Sequence, residues 1–304
     1  MKYFIFLGML YGHVHLLACD LCGGVGSNAS IGIFAANHFH LVGWRQNLRL
    51  MDSYLYGIKH SSELIWQSDL NVRTQLGKRV QFYGTLPVQL ARQKTDFQTS
   101  TVSGISDPSV MFTFALMDRK DSMQVTRDFW NLGFGVKFPC GKWLSYQNTF
   151  KNLAPSTGSF DGMLLSNYTH RFKNALSFQA EGSYAFKGKD PDGYQFGPST
   201  QFSSSFIYNQ KVQGIRLISS LGVQWDHFQS SRLNGVRLMD QNMGGTIFSL
   251  KGSLNLLMNR YLVSAQFQAP MYQQINLGNT KQKIVFGLHI YYLIQKKQHE
   301  KQPN

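Results

Sequence analysis

The sequence predicts an all-β fold, a transmembrane antiparallel up-and-down β-barrel of about 12 strands. Segments of about ten residues alternate apolar and polar side chains with a period of two, as membrane strands do. Only 15% of the 304 residues are charged, yet the mean hydropathy is only −0.23. Soluble domains carry roughly a quarter charged residues, so this chain is short of charge without being strongly apolar. Aromatic residues make up 14% of the chain, which excludes a disordered protein.

The first predicted element is a secretory signal peptide, residues 1–18. Lys2 is followed by an apolar stretch that is too short to act as a spanning helix and that ends at the small residue Ala18. Beyond this stretch no apolar run approaches the roughly 20 residues of a spanning helix, which excludes a helical membrane bundle. We therefore expect an exported protein located in the outer membrane of a Gram-negative bacterium.

Residues 19–38 form a predicted flexible segment ahead of the barrel, and a C-x-x-C pair lies in it. Cys19 and Cys22 are followed about 20 residues later by His38 and His40, which lie on one face of an extended chain. Thiolate and imidazole ligands together suit copper or zinc. A disulfide between the two cysteines, favoured by export, and lipidation of Cys19 in a lipobox-like context are the alternatives. Because these alternatives do not involve a metal, we expect no cofactor. Copper or zinc bound by the cysteines and histidines is the alternative expectation.

The barrel itself is predicted over residues 39–294, followed by a polar basic tail at 295–304. Alternation is clearest at 130–138, 176–186 and 284–294, where the apolar set is expected to face lipid. The predicted strands cover residues 39–50, 63–76, 78–91, 107–117, 127–138, 161–172, 175–186, 198–209, 214–226, 244–257, 261–269 and 283–294. Long loops facing the exterior are expected at 92–106, 139–160, 187–197 and 227–243, and the short polar turns are expected to face the periplasm.

A soluble β-sandwich is the structural alternative, because it also has short alternating strands. The predicted strands are long, and aromatic residues such as Trp130, Trp225 and Tyr292 fall near strand ends, where membrane barrels place their aromatic girdles. Pro87 lies inside a predicted strand, so a bulge or weak pairing is expected there.

The net charge of +14 bears on the lumen of such a barrel. Cationic side chains on the polar face of the strands would favour anionic solutes. Pairing with lumen carboxylates such as Glu181 and Asp69, or contact with lipid headgroups, is the better-supported reading. No basic motif with interleaved aromatics indicates nucleic-acid binding. The residues predicted to line the lumen are Arg49, Lys137, Gln179, Glu181, Arg216 and Gln224.

Several short motifs resemble those of the outer-membrane family known as the phenol-degradation meta-pathway proteins. The segment NLGFGVKFPCG at 131–141 is similar to that family's "GLGVKLPTG" strand and turn, although Cys140 replaces a threonine. The segments at 104–109, 157–159, 266–273 and 19–24 resemble its "GIGD", "GTGS", "vQ-P-vYq" and "CDxCGC" patterns, although Gly24 replaces the last cysteine. The resemblance implies an outer-membrane barrel that passes small solutes.

Motifs for catalysis are not evident in the sequence. There is no Gly-x-Ser-x-Gly elbow, phosphate-binding loop or His-Glu-x-x-His helix. Asp161, Ser166 and His170 are close in sequence, but alternation puts Ser166 and His170 on the outward face, so a catalytic triad is not expected.

The sequence therefore predicts a passive channel or transporter-like protein, not an enzyme. Its expected partners are outer-membrane lipid, a small solute and the barrel-assembly machinery, with no nucleic acid, and the sequence does not set the oligomeric state. The alternative is a non-conducting barrel with a structural, partner-binding or copper- or zinc-handling role through its C-x-x-C pair.

Overall fold

The computed structural model describes residues 40–121, 125–145, 148, 151–172, 175–238 and 244–294. The predicted signal peptide, the N-terminal segment and the basic tail lie outside these residues. The strands are β1 (His40–Leu55), β2 (Ile58–Gln75), β3 (Val80–Thr95), β4 (Thr99–Ile105), β5 (Ser109–Lys120), β6 (Thr126–Lys137), β7 (Asp161–Arg171), β8 (Leu176–Phe186), β9 (Tyr194–Gln195), β10 (Ser199–Val212), β11 (Ile215–Phe228), β12 (Arg232–Leu233), β13 (Val236–Arg237), β14 (Gly245–Met258), β15 (Tyr261–Ile275) and β16 (Thr280–Ile294).

These strands form a closed 12-strand antiparallel barrel, which confirms the predicted fold class. Each wall strand pairs with its neighbour in sequence, and β1 pairs with β16 to close the ring. The short strands β9, β12 and β13 form a separate small sheet in two connecting loops. Among the described residues no helix is long and apolar enough to cross a membrane.

The strands β4 and β5 act as one wall strand that is interrupted at residues 106–108. β3 pairs with β5 through residues 80–85 and with β4 through residues 88–94. Pro87 lies between these two ladders, so its missing N–H falls where no ladder hydrogen bond is required of it. Its carbonyl oxygen accepts a hydrogen bond from the Ser106 amide at 2.9 Å. The irregularity expected at Pro87 is thus a change of partner strand.

The two ends of the barrel differ in their connections. The turn end, defined by the paired residues His40 and Ile294, carries short connections such as 213–214 and 259–260. Gln213 and Gly214 both have positive φ, as type I′ hairpin turns require. The opposite end, called the loop end, carries the connections 138–160, 187–198 and 229–244.

The prediction of a long loop at 92–106 is wrong. β3 continues to Thr95 and β4 begins at Thr99, so this region is a tight hairpin that extends the wall at the loop end. Residues 92–103 are polar except for Phe97 and Val102 and show no lipid-facing alternation, which hides the strands from a pattern search. Their backbone ladder holds the hairpin, with Gln93 opposite Ser100 and Lys94 opposite Thr99.

The barrel is apolar outside and polar inside. Large apolar side chains such as Phe134, Phe206 and Leu221 are exposed on the outer face, whereas Asn131, Asn167 and other polar side chains are buried on the inner face. This is the reverse of a soluble protein and matches a wall that faces lipid on one side. The polar interior enclosed by the strands is therefore the candidate functional site.

Candidate functional site: the lumen of the barrel

Polar side chains fill the middle of the lumen. Gln179 and Glu181 on β8 and Gln224 on β11 are buried on the inward-facing set of their strands. Arg49 belongs to the inward-facing set of β1 and lies within electrostatic range of Asp226. Arg216 follows the inward-facing alternation of β11 but lies exposed at the turn end. Lys137 lies apart from these residues, at the loop end of β6.

Charges in the middle of the lumen are compensated by side chains on the same or the adjacent strand. Arg45 forms a buried ion pair with Asp69, with Nη2 and Oδ2 3.0 Å apart. Asp226 accepts hydrogen bonds from the Gln201 and Gln224 amides at 2.8 and 3.0 Å. A buried charge is tolerated when such partners replace its hydration. The lumen is therefore not a one-sided cationic surface.

The side chain of Lys251 on β14 faces the two central carboxylates of the lumen, Glu181 and Asp226, within electrostatic range. A cavity of about 40 Å³ lies beside it, lined in part by Gln179, Gln224 and Lys251. That volume holds only a few water molecules. The central polar region, called the polar chamber, is thus narrow.

Two apolar layers bound the polar chamber. The layer toward the loop end includes Met51, Ile247 and Ile275, with Phe228 packed against it. The layer toward the turn end includes Leu41, Ile218 and Leu262, with Leu257 packed against it. The order is the same along several strands: β1, for example, passes from Leu41 through Arg45 and Arg49 to Met51. Apolar clusters therefore lie on both sides of the polar chamber along these strands.

The connection at 138–160, called the inserted loop and described by the structure at 138–145, 148 and 151–160, contributes one residue to the layer at the loop end. Its 3-10 helix (Lys151–Leu153) places Leu153, only 3% exposed, in one cluster with apolar residues of β1, β2, β3, β14 and β15. Because the loop leaves the wall between β6 and β7, it reaches across the lumen to these strands. Gln89 on β3 donates hydrogen bonds to the carbonyl oxygens of Leu153 and Ala154, at 3.1 and 3.4 Å. The loop thus lies across part of the lumen at the loop end.

A network of charges, called the loop anchor, holds the inserted loop at its base. Lys137 Nζ lies 3.1 Å from Asp107 Oδ2 and 2.7 Å from Asp161 Oδ2, and Lys187 Nζ lies 3.2 Å from the same Asp161 oxygen. Asp107 also accepts a hydrogen bond from the Thr157 amide at 3.0 Å. A second ion pair, between Lys151 and Asp190, joins the inserted loop to the next connection. All of these groups are largely buried.

The loop anchor unites three of the motifs noted in the sequence. Asp107 comes from the segment 104–109, Lys137 from 131–141 and Thr157 from 157–159. Gly141 belongs to the same group, because a Cβ there would lie 2.5 Å from the carbonyl oxygen of Ile105. Gly158 has φ +72, which also favours glycine. Sequence reasoning named Lys137 as a lumen residue but could not assign it this anchoring contact.

The proposed metal ligands are only partly within the described residues. Cys19, Cys22 and His38 lie outside them. His40 lies at the turn end of β1, where its Nδ1 is 2.6 Å from Thr74 Oγ1. Within the described part of the chain, no group of three or more His, Cys, Asp or Glu side chains is arranged to hold a metal ion.

The residues once considered for a triad lie apart. His170 Nδ1 lies 2.6 Å from Asp128 Oδ1, and Ser166 accepts a hydrogen bond from the Trp130 indole at 3.0 Å, both on the outer face. Asp161 belongs to the loop anchor on the inner side. Because these three groups occupy two faces of the wall, they cannot act on one substrate.

Sequence reasoning missed three residues that shape the lumen. Asp226 and Lys251 could have been found, since each continues the polar alternation of its strand next to Gln224 or Ser249. Leu153 had no detectable signal, because it is one of several apolar residues in its loop and nothing in the sequence reveals which wall it meets.

Comparisons with known proteins agree with this architecture. A family model described as "Putative MetA-pathway of phenol degradation" matches residues 58–277. No curated protein sequence matches the chain. Among solved structures, an outer membrane channel from Pseudomonas putida F1 superposes with a TM-score of 0.65 at 12% identity, covering 84% of this chain and 96% of that one. The β-domain of the Bordetella autotransporter BrkA superposes with a TM-score of 0.52 at 8% identity, covering 85% of this chain and 100% of that one. At these identities the likeness concerns the fold.

Proposed function

We propose that this chain, which belongs to the family described as the putative MetA-pathway of phenol degradation, is a passive channel for a small solute in the bacterial outer membrane. Outer-membrane barrels have short turns on the periplasmic side and longer loops outside, so the turn end faces the periplasm and the loop end faces the exterior. The observation that carries the proposal is the polar chamber inside a closed, lipid-facing wall. Barrels that pass solutes have polar interiors of this kind, in which buried charges are paired with neighbouring groups.

The inserted loop supplies the constriction of this channel. Its apolar tip closes the chamber on the exterior side, and apolar constrictions block ions by excluding water. Solute passage then requires the loop to leave the layer at the loop end, while the loop anchor keeps its base attached to the wall. The resting protein is therefore expected to conduct in brief openings.

Planar-bilayer recording of the refolded protein tests the channel proposal. We expect small, discrete current steps, since 12 strands enclose a narrower lumen than the 16 to 18 strands of open porins. A protein that inserts as a folded barrel but gives no current steps over long recordings would contradict the channel proposal.

The alternative function is a non-conducting barrel that handles copper or zinc through Cys19 and Cys22. Thiolates and a nearby imidazole are suitable ligands for these metals. Tight copper binding that is lost in a Cys22→Ser variant, together with absence of current, would favour this function. Normal current in the Cys22→Ser variant would favour the channel.

Several finer assignments accompany the channel proposal. We propose that the chain has no enzymatic activity, a proposal supported by the separation of Asp161 from Ser166 and His170 onto different faces. Insertion by the barrel-assembly machinery is proposed from the barrel architecture. Membership of the "CDxCGC" subgroup rests on residues 19–24 alone.

A further inference from the structure

A concave site lies at the turn end of the lumen, apart from the polar chamber. Its cavity measures about 310 Å³ and is lined in part by Lys78, Arg79 and Lys120, with the apolar side chains of Leu116 and Phe129. Cavities of this size accept small organic molecules. We call this site the vestibule.

The cations of the vestibule lack local carboxylate partners. Among the described residues, no carboxylate lies within ion-pairing distance of Lys78, Arg79 or Lys120. The one carboxylate in the lining, Asp118, accepts a hydrogen bond from Thr126 Oγ1 at 3.0 Å. Three positive charges and the one negative charge of Asp118 leave a net charge of two positive around the cavity, which attracts anions.

Backbone hydrogen bonds fix the turn that carries Lys78 and Arg79 and join it to β5. The turn that carries Lys78 and Arg79 is closed by a hydrogen bond from the Leu76 amide to the Val80 carbonyl at 3.0 Å. The Arg79 carbonyl accepts a hydrogen bond from the Ala115 amide on β5 at 2.8 Å. A register shift between Ala115 and Met117 places the extra residue Leu116 at the vestibule. The site is therefore built on two adjacent wall strands, β3 and β5, with its three cationic side chains exposed to solvent.

The apolar part of the lining narrows the class of ligand. Phe129 is only 5% exposed and points inward, and Leu116 adds a second apolar surface. An inorganic anion would leave these surfaces without contact, whereas an organic anion could bury its apolar body against them.

We infer that the vestibule binds a small organic anion with an apolar body, its charge near Lys78, Arg79 and Lys120 and its apolar part against Phe129. The bound anion represents the class of solute that the proposed channel passes. Its physiological meaning therefore rests on the channel function. The binding itself does not depend on conduction. An anion held here would occupy the last site before release into the periplasm.

Titration calorimetry of the full-length refolded protein in neutral detergent tests the inference, with benzoate as the probe. Benzamide, the neutral analogue of similar shape, serves as the control ligand. We expect benzoate to bind at least about tenfold more tightly than benzamide, and its binding to weaken as sodium chloride rises from about 0.05 M to about 0.5 M. Equal binding of the two ligands would overturn the inference.

Two charge-matched triple variants locate the binding. Lys78→Gln, Arg79→Gln and Lys120→Gln together should weaken benzoate binding by about tenfold, because each exposed charge contributes a few-fold. The control removes three exposed cations elsewhere on the same end, by Arg171→Gln, Lys211→Gln and Arg260→Gln, and should change binding less than about twofold. Equal losses in both variants would overturn the inference in favour of a general basic rim.

Bilayer recordings on the same preparations separate this inference from the channel proposal. Current steps without benzoate binding would overturn the vestibule site and leave the channel intact. Benzoate binding that depends on the three vestibule cations, in a protein that gives no current, would support the site and contradict the channel.

Discussion

Leu153→Ala should open the channel, because this side chain completes the apolar layer at the loop end. Leu153 is 3% exposed and shares its cluster with Met51, Ile65, Ile247 and Ile275. Burial of a leucine side chain contributes about 1.5–3 kcal/mol, most of which alanine loses. A loss of about 2 kcal/mol shifts the ratio of undocked to docked loop about 30-fold, since about 1.4 kcal/mol corresponds to a factor of ten.

Single-channel recording measures this shift as open probability. Because the wild type is expected to be mostly closed, the ratio of open to closed time should rise about 30-fold in the variant. The conductance of each opening should change little. Leu153→Met should behave like the wild type, because it conserves volume and apolar character. Leu277→Ala, at a 70% exposed position in a connection at the same end of the barrel, is the matched control and should have no effect. An unchanged open probability in folded Leu153→Ala would refute the assignment of the inserted loop as the constriction.

Two further predictions concern the loop anchor and the wall. Lys137→Met removes a cation from the buried carboxylates Asp107 and Asp161, which should lower the free energy of unfolding by about 3–5 kcal/mol. Limited proteolysis should then cut the inserted loop in the variant and spare the wild type. Equal protection of the two proteins would argue against anchoring. Phe134→Arg places a charge on the lipid face, where Phe134 is 54% exposed. Denaturant unfolding in lipid vesicles should show a free energy of unfolding about 2–4 kcal/mol lower, with Phe134→Leu as the mild control. An unaffected Phe134→Arg variant would place this face outside the membrane.

Much of the wall followed from period-two alternation. The segment from Leu176 to Phe186 alternates outward Phe178 and Tyr184 with inward Gln179 and Glu181, and the structure shows this arrangement. Lipid requires every second side chain to be apolar, so the pattern is written directly into the residues. Beyond the lipid this requirement ends, and the extensions of β3 and β4 toward the hairpin at 96–98 could not be detected.

The lumen was less accessible from sequence. Alternation indicates that Lys137 and Glu181 face inward, but it does not say which residues they contact there. Lys137 contacts Asp107 and Asp161, which are 30 and 24 residues away in the chain. Similarly, the three vestibule cations lie in two separate turn regions that the meander brings together.

The sequence by itself determined the class of fold, the approximate positions of the strands and the inward and outward faces, because each of these depends on neighbours along the chain and on the solvent at each face. Only the tertiary structure decided that Leu153 packs against the opposite wall of the lumen, that the loop anchor joins three separate motifs, and that Lys78, Arg79 and Lys120 surround one cavity. These features arise from closing the sheet into a barrel, which brings distant residues within a few ångströms of one another. Periodicity carries no information on such contacts, because it describes one strand at a time.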